Sequence, residues 1–171
     1  MTAGYRVVSL DPRGQGQSST GWPEYSRAAL AGDLLALVRS LGGPAVLVGH
    51  SFAGGAVPIA ATREPDLVSA AVEIGPFTRV PKTSIGGLVT NRPYRTGAVP
   101  VLGTALTGSV DRWGAYLDLA YPGLKPADWD TELAALKTTM SEPGRMRALR
   151  TMISADPKPG STAGLVGGGV P

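Results

Sequence analysis

The chain has 171 residues, 43% of them hydrophobic and 17% charged, which suits one globular domain with a real core. It contains no cysteine and a single histidine, which excludes disulfide scaffolds, thiolate metal sites, cysteine nucleophiles and metal sites built on several imidazoles. The formal charge of +3 is mild, and no aromatic residues interleave with the arginines near the end of the chain, which argues against a nucleic-acid-binding groove.

The first 41 residues predict a strand, a loop and a helix. Residues 5–10 are rich in strand formers, and the glycine-rich stretch that follows, residues 11–19, is a loop by composition. Leucine and valine then recur at helical spacing over residues 30–41, and Gly42 and Gly43 provide a stop signal.

Two further strands and a short helix follow. Residues 45–48 form a continuously apolar run, typical of a strand buried on both faces of a parallel sheet. A small-residue helix is expected over residues 56–63, and a third strand over residues 68–74. Alternating strands and helices predict an α/β fold with about three parallel strands and flanking helices.

The second half of the chain has a different character. Residues 78–108 are rich in Gly, Pro, Thr and Arg and carry no pattern that predicts an element, whereas helices are expected over residues 111–120 and 133–140. A last helix is expected over residues 146–153, with Ser141 as its N-cap.

The second half of the chain also contains aromatic residues and arginines whose roles the sequence suggests. The aromatic residues Trp113, Tyr116 and Trp129 either line an apolar pocket or pack the core of the helical region. Arg145, with two further arginines, is interpreted as part of a solvated helix face.

Residues 49–54, with the sequence GHSFAG, are the pattern with the most chemical content. A nucleophile elbow holds a serine in a strained turn between a strand and a helix, so that its hydroxyl projects at the strand end. Small flanking residues are needed because the two backbones approach closely there. The usual second glycine of the pattern is Ala53 here, which is small enough to keep the turn, and Gly54 follows it.

A second motif adds to the elbow. Residues 4–18, with the sequence GYRVVSLDPRGQGQS, are similar to the strand and the Asp-x-Arg-Gly-x-Gly-x-Ser loop that precede the nucleophile in alpha/beta-hydrolases. Both motifs occur in the family's order, so the chain resembles the alpha/beta-hydrolase family over residues 4–77. A phosphate-binding glycine loop is the weaker interpretation, because no Gly-Lys-Ser/Thr ending follows.

The resemblance implies an incomplete alpha/beta-hydrolase core followed by a mostly helical cap region. Residues 1–77 would be the core fragment, residues 78–156 the helical cap-like region, and residues 157–171 a flexible tail leading to a missing core strand. The family's early strands would precede Met1 and its late strands, with the acid and the histidine, would follow Pro171. We therefore expect a partial chain.

The resemblance also implies roles for individual residues. Ser51 is the expected nucleophile, and the backbone N–H of Phe52 is an expected oxyanion donor. The only histidine, His50, adjoins Ser51 in sequence and is expected to shape the pocket rather than to act as the base. Glu73 is weighed as the acid, against an edge-facing or cavity-facing glutamate. Asp33, on the first helix, is expected to be a surface residue.

The expected function is that of a fragment of a serine hydrolase acting on an ester, amide or related acyl substrate through an acyl-enzyme at Ser51. The catalytic histidine is absent, and so is the acid unless Glu73 supplies it, so the chain by itself is expected to be inactive. The alternatives are a non-catalytic binding or interaction protein on a truncated hydrolase fold, and a cofactor-free perhydrolase in the full-length form. No cofactor, metal, nucleic-acid or membrane partner is expected, the location is expected to be cytoplasmic, and the oligomeric state stays open.

Overall fold

The structure is a computed structural model, and it describes residues 4–76, 89–121 and 123–154. The predicted tail, residues 157–171, lies outside these ranges. The elements in chain order are α1 (Arg27–Ser40), β1 (Ala45–His50), α2 (Val57–Arg63), β2 (Val68–Ile74), α3 (Arg92–Thr107), α4 (Val110–Ala120), α5 (Trp129–Met140) and α6 (Arg145–Ser154). A 3-10 turn, Pro65–Leu67, leads into β2.

The first part of the chain forms a parallel strand–helix–strand unit, as the sequence predicts. β1 and β2 pair in parallel, with Val48 opposite Val72 and His50 opposite Ile74. Helices α1 and α2 cover one face of this pair, where Leu47 joins a buried apolar cluster. The cluster gathers the inward-facing residues of both helices, namely Leu30, Ala31, Leu35, Val38, Ala56, Val57, Ile59 and Ala60. Burial of these side chains holds the strand–helix–strand unit together.

The other face of the pair is bare within the part of the chain that the structure describes. Side chains alternate between the two faces of a sheet, so Val46, Val48, Val72 and Ile74 share a face. They are between 44% and 65% exposed. The prediction that residues 45–48 form a strand is confirmed, but burial of that strand on both faces is not found among the described residues.

The first predicted strand, residues 5–10, is extended backbone outside the sheet, which consists of β1 and β2 in the described ranges. Tyr5, Val7 and Val8 are exposed, and Leu10 packs against the core cluster. Composition predicts an extended segment correctly, but a strand also needs a hydrogen-bonding neighbour, and that neighbour is not determined locally. The incomplete core therefore contains two paired strands and one extended segment.

A helix that the sequence did not predict, α3, occupies the Gly- and Pro-rich stretch. Pro100 lies inside α3, where it lacks the N–H of the helical ladder. The Thr104 side chain is fully buried and donates a hydrogen bond from Oγ1 to the carbonyl of Pro100 at 2.9 Å. α3 packs against α4 and α6, and this tertiary packing outweighs its weak intrinsic helix propensity.

The two last helices lie where the sequence predicts them, but the role expected for Ser141 was wrong. Its N–H donates to the carbonyls of Lys137 and Thr138, so it is the C-cap of α5 and not the N-cap of α6. Gly144, with φ of 85°, turns the chain into α6.

Four aromatic residues of the helical region contact one another in two pairs. The rings of Trp113 and Tyr116 lie 5.1 Å apart, and Tyr121 lies 4.7 Å from Trp129. These ring contacts support packing within the helical region, where Trp113, Tyr116 and Trp129 are half-buried. None of the helices in the described ranges is long and apolar enough to cross a membrane.

Candidate active site

Ser51 directly follows β1 and has the backbone conformation that a nucleophile elbow requires. Its φ is 54°, and it is the one non-glycine residue with positive φ in the described ranges. A side chain in this left-handed region is strained by about 1–3 kcal/mol, and such strain clusters at functional sites. Surrounding interactions must therefore hold Ser51 in place.

Hydrogen bonds on both sides close the turn around Ser51. Its N–H donates to the carbonyl of Ile74 at 2.9 Å, which ties the turn to the end of β2. The N–H of Ala53 donates to the carbonyl of His50 at 3.0 Å, and the N–H of Gly55 donates to the carbonyl of Ser51 at 3.3 Å. These hydrogen bonds stabilise the turn that links β1 to α2.

Two glycines allow the close backbone approach that the motif predicts. A Cβ on Gly49 would lie 2.6 Å from the carbonyl oxygen of Ala53 and 2.8 Å from the Cα of Gly54. A Cβ on Gly54 would lie 3.0 Å from Pro76 and 3.1 Å from the carbonyl oxygen of Gly49. The tight contact is thus between Gly49 and the backbone of Ala53 and Gly54, and the atoms of Ala53 that take part in it are backbone atoms.

The N–H of Phe52 makes no hydrogen bond within the described residues. Its side chain packs against the core cluster, so the peptide next to Ser51 is anchored while its donor stays available. The helix after Ser51, α2, begins at Val57, within one residue of its predicted start, and is 7 residues long, with a turn between it and the serine. An oxyanion donor here would therefore be the turn N–H itself rather than the terminus of a long helix.

The other two expected site residues lie near the elbow without bonding to it. His50 is exposed and shares the bare face of the sheet with Val48. Glu73 is exposed and lies opposite Gly49, one residue before the carbonyl that binds the Ser51 N–H. Among the described residues, no hydrogen bond or ion pair connects either side chain to Ser51.

The glycine-rich loop is fixed by an ion pair that sequence reasoning missed. Arg13 donates from Nε to Asp33 Oδ2 at 2.7 Å and from Nη2 to Asp33 Oδ1 at 2.6 Å. The guanidinium also lies 4.6 Å from the ring centre of Trp22. The hydrogen bond to Asp33 raises the pKa of Arg13 above its usual value, although burial acts in the opposite direction. Asp33 is therefore a partner of the loop, and its side chain, which is 31% exposed, also lies partly at the surface as expected.

A cavity of about 240 Å³ lies beside this ion pair. The loop and α1 line it, with Leu10, Arg13, Trp22 and Asp33 among the contacts, and Ser51 is not one of them. It is therefore not evidence for a substrate pocket at the serine. No group of three or more His, Cys, Asp or Glu side chains suited to a metal ion occurs in the part of the chain that the structure describes.

Comparisons with known proteins agree with the elbow and the loop. A sequence model described as "Alpha/beta hydrolase family" matches residues 1–167. The mouse (Mus musculus) protein named sn-1-specific diacylglycerol lipase ABHD11 is 37% identical over 89 residues, 50% of this chain and 29% of that protein. The Bifunctional esterase/perhydrolase DCH of Acinetobacter calcoaceticus is 44% identical over 73 residues, 42% of this chain and 26% of that protein.

The chain thus covers less than a third of the length of either relative. No solved structure matches it significantly. Because the family match extends over nearly the whole chain and agrees with the geometry at position 51, the chain belongs to the alpha/beta hydrolase family.

Proposed function

We propose that the protein is a serine hydrolase acting on an ester, amide or related acyl substrate, with Ser51 as its nucleophile. The observation that carries this proposal is the left-handed φ of 54° at a serine that directly follows a parallel strand. A serine gains nothing in stability from this conformation, so a role in chemistry gives a reason for the strain.

In the proposed reaction Ser51 Oγ attacks the carbonyl carbon and its proton passes to a base. The N–H of Phe52 donates a hydrogen bond to the resulting oxyanion, because it has no other partner among the described residues. The alcohol or amine then leaves with a proton, and water releases the acid from the acyl-enzyme and restores the serine hydroxyl.

The proposed reaction needs a base, and we assign no residue of this chain to that role. His50 is its one histidine, and the described contacts do not join that side chain to Ser51. Proton transfer needs heavy atoms within roughly 3 Å of each other, directly or through one water. We therefore expect the 171-residue chain alone to be nearly inactive, with the base supplied elsewhere in the whole protein. Glu73 stays a candidate for the acid.

A perhydrolase activity is a second candidate, because the name of the Acinetobacter relative includes it. The same acyl-enzyme would then react with hydrogen peroxide instead of water, giving a peracid and the free serine. A binding protein without catalytic activity is the third candidate, and in that case Ser51 would not react with acyl substrates.

Covalent labelling with a fluorophosphonate tests the proposal at the level of one residue. Trypsin releases residues 40–63 as one peptide that contains two serines, Ser40 and Ser51, so fragment masses can tell them apart. In the whole protein we expect the adduct on Ser51, lost in Ser51→Ala and kept in Ser40→Ala. In the isolated chain we expect much slower labelling. An unlabelled Ser51 in the whole protein would favour the binding protein.

A further inference from the structure

A buried arginine joins the helical region to the glycine-rich loop. The loop, residues 11–18, is called the glycine loop below. Arg145, the first residue of α6, is only 8% exposed. Its Nη1 donates to the carbonyl of Ser18 and lies 3.5 Å from the carbonyl of Gln15, while its Nε donates to Glu142 at 3.1 Å. This arginine was expected on a solvated helix face, and that expectation was wrong.

The same face of α6 carries the rest of this contact. Ala148 and Met152 follow Arg145 at helical spacing, so the three residues share one face of the helix. A Cβ on Gly14 would lie 2.5 Å from the Cβ of Ala148, which means that the loop backbone rests directly on α6. The side-chain amide of Gln15 contacts the Met152 sulfur at 3.4 Å. The glycine loop therefore packs along two turns of α6.

The loop is also folded on itself, in a way that Arg145 complements. The N–H of Gly14 donates to the carbonyl of Ser19, and the N–H of Ser18 donates to the carbonyl of Gln15, each at 2.9 Å. The N–H of Gln17 donates to the carboxylate of Asp11 at 2.9 Å. Arg145 thus binds carbonyl oxygens of the same small turn whose N–H groups are used internally. A guanidinium loses water on burial, so it needs these acceptors, and they need it.

Arg145 belongs to a helix that contacts two different parts of the molecule. The other end of the loop is fixed to α1 through Arg13 and Asp33. At the opposite side of α6, Arg150 donates to the carbonyls of Ala105 and Leu106 in α3. α6 therefore connects α3 on one side with the glycine loop on the other.

We propose that Arg145 is a positioning residue that couples the docking of α6 to the hydrogen-bonded conformation of the glycine loop. Opening of the loop would leave the guanidinium buried without its carbonyls, and release of α6 would leave those carbonyls without their donor. Coupling of this kind is reciprocal, so each event favours the other. The inference goes beyond the proposed function and does not depend on the reactivity of Ser51.

Site-resolved hydrogen exchange of the protein tests this coupling. In Arg145→Ala, the amides of Gly14, Gln17 and Ser18 should exchange roughly 10 to 100 times faster, as expected for loss of charge-assisted hydrogen bonds. The acceleration should persist unchanged at low urea concentrations, since a local opening exposes little surface. Amides in the middle of α1 should keep their rates. A merely structural role would instead accelerate all of these amides together, in a urea-dependent way.

Matched variants on the same helix complete the test. Arg147 is exposed, so Arg147→Ala removes the same charge and should leave the loop amides unchanged. Arg145→Lys keeps one donor and should give an intermediate acceleration, which also guards against misfolding of the alanine variant. Unchanged exchange of the three loop amides in both Arg145 variants would overturn the proposal. Equal acceleration in Arg147→Ala would overturn it as well.

Discussion

Replacing Ser51 by alanine in the whole protein is expected to lower kcat for a short-chain p-nitrophenyl ester by a factor on the order of 10⁵ to 10⁶. The reason is that in the proposed mechanism the hydroxyl forms the covalent intermediate, and the other catalytic residues act as a unit that depends on it. KM should change little, because the missing oxygen takes part in the reaction and not in uniform binding of the ester.

The control for this prediction is a serine on the neighbouring strand. Ser69 is exposed on β2, and Ser69→Ala should keep the full rate. Steady-state hydrolysis of both purified variants decides the matter. If Ser51→Ala retained more than a tenth of the original kcat, another residue would be the nucleophile.

The second large effect concerns stability and lies at Gly49. Adding one methyl group as Gly49→Ala would place a Cβ 2.6 Å from the carbonyl oxygen and 2.7 Å from the carbonyl carbon of Ala53. These are backbone atoms of the turn, so they cannot move aside as the end of a flexible side chain could. We expect the free energy of unfolding to fall by about 3 kcal/mol, the upper end of the usual range for overpacking in a core.

A second glycine provides the matched control for this substitution. Gly32 lies inside α1 with no atom near its expected Cβ position, so Gly32→Ala should raise the free energy of unfolding by roughly 0.5–1 kcal/mol. Urea unfolding of both variants gives the comparison. Equal stability of the two alanine variants would mean that the strand and the turn do not touch at Gly49.

Local patterns predicted the elements that depend on local chemistry. β1, α2 and β2 lie where apolar runs and small residues placed them, and α1 ends at Ser40 just before the expected Gly42 stop. α3 escaped prediction because Pro100 and the nearby glycines lower its helix propensity, whereas its packing against α4 and α6 is a tertiary effect. The opposite happened at residues 5–10. Their composition favours a strand, but they pair with neither β1 nor β2, because a suitable sequence does not supply a pairing partner.

At the site the motif predicted the turn at Ser51 but not the contacts made over long distances in sequence. Asp33 lies 20 residues from Arg13, and Arg145 lies 127 residues from Ser18. A local sequence pattern does not distinguish such paired charges from solvated ones, because the spacing of residues along a helix shows only that a position is polar and not what it contacts. One signal was available for such a buried partner, namely a charged residue at a helix position where the spacing of the apolar residues predicts the buried face.

The free energy of unfolding of Ser51→Gly, set against that of Ser51→Ala, measures the conformation of the elbow most directly. Both variants lack the hydroxyl, so they differ by one Cβ. At φ of 54° a Cβ is unfavourable, and the glycine variant should be the more stable one by about 1 kcal/mol. In helical or extended backbone the order would reverse, with glycine less stable by roughly 0.5–1 kcal/mol. A glycine variant less stable than the alanine variant would contradict a strained serine at this turn.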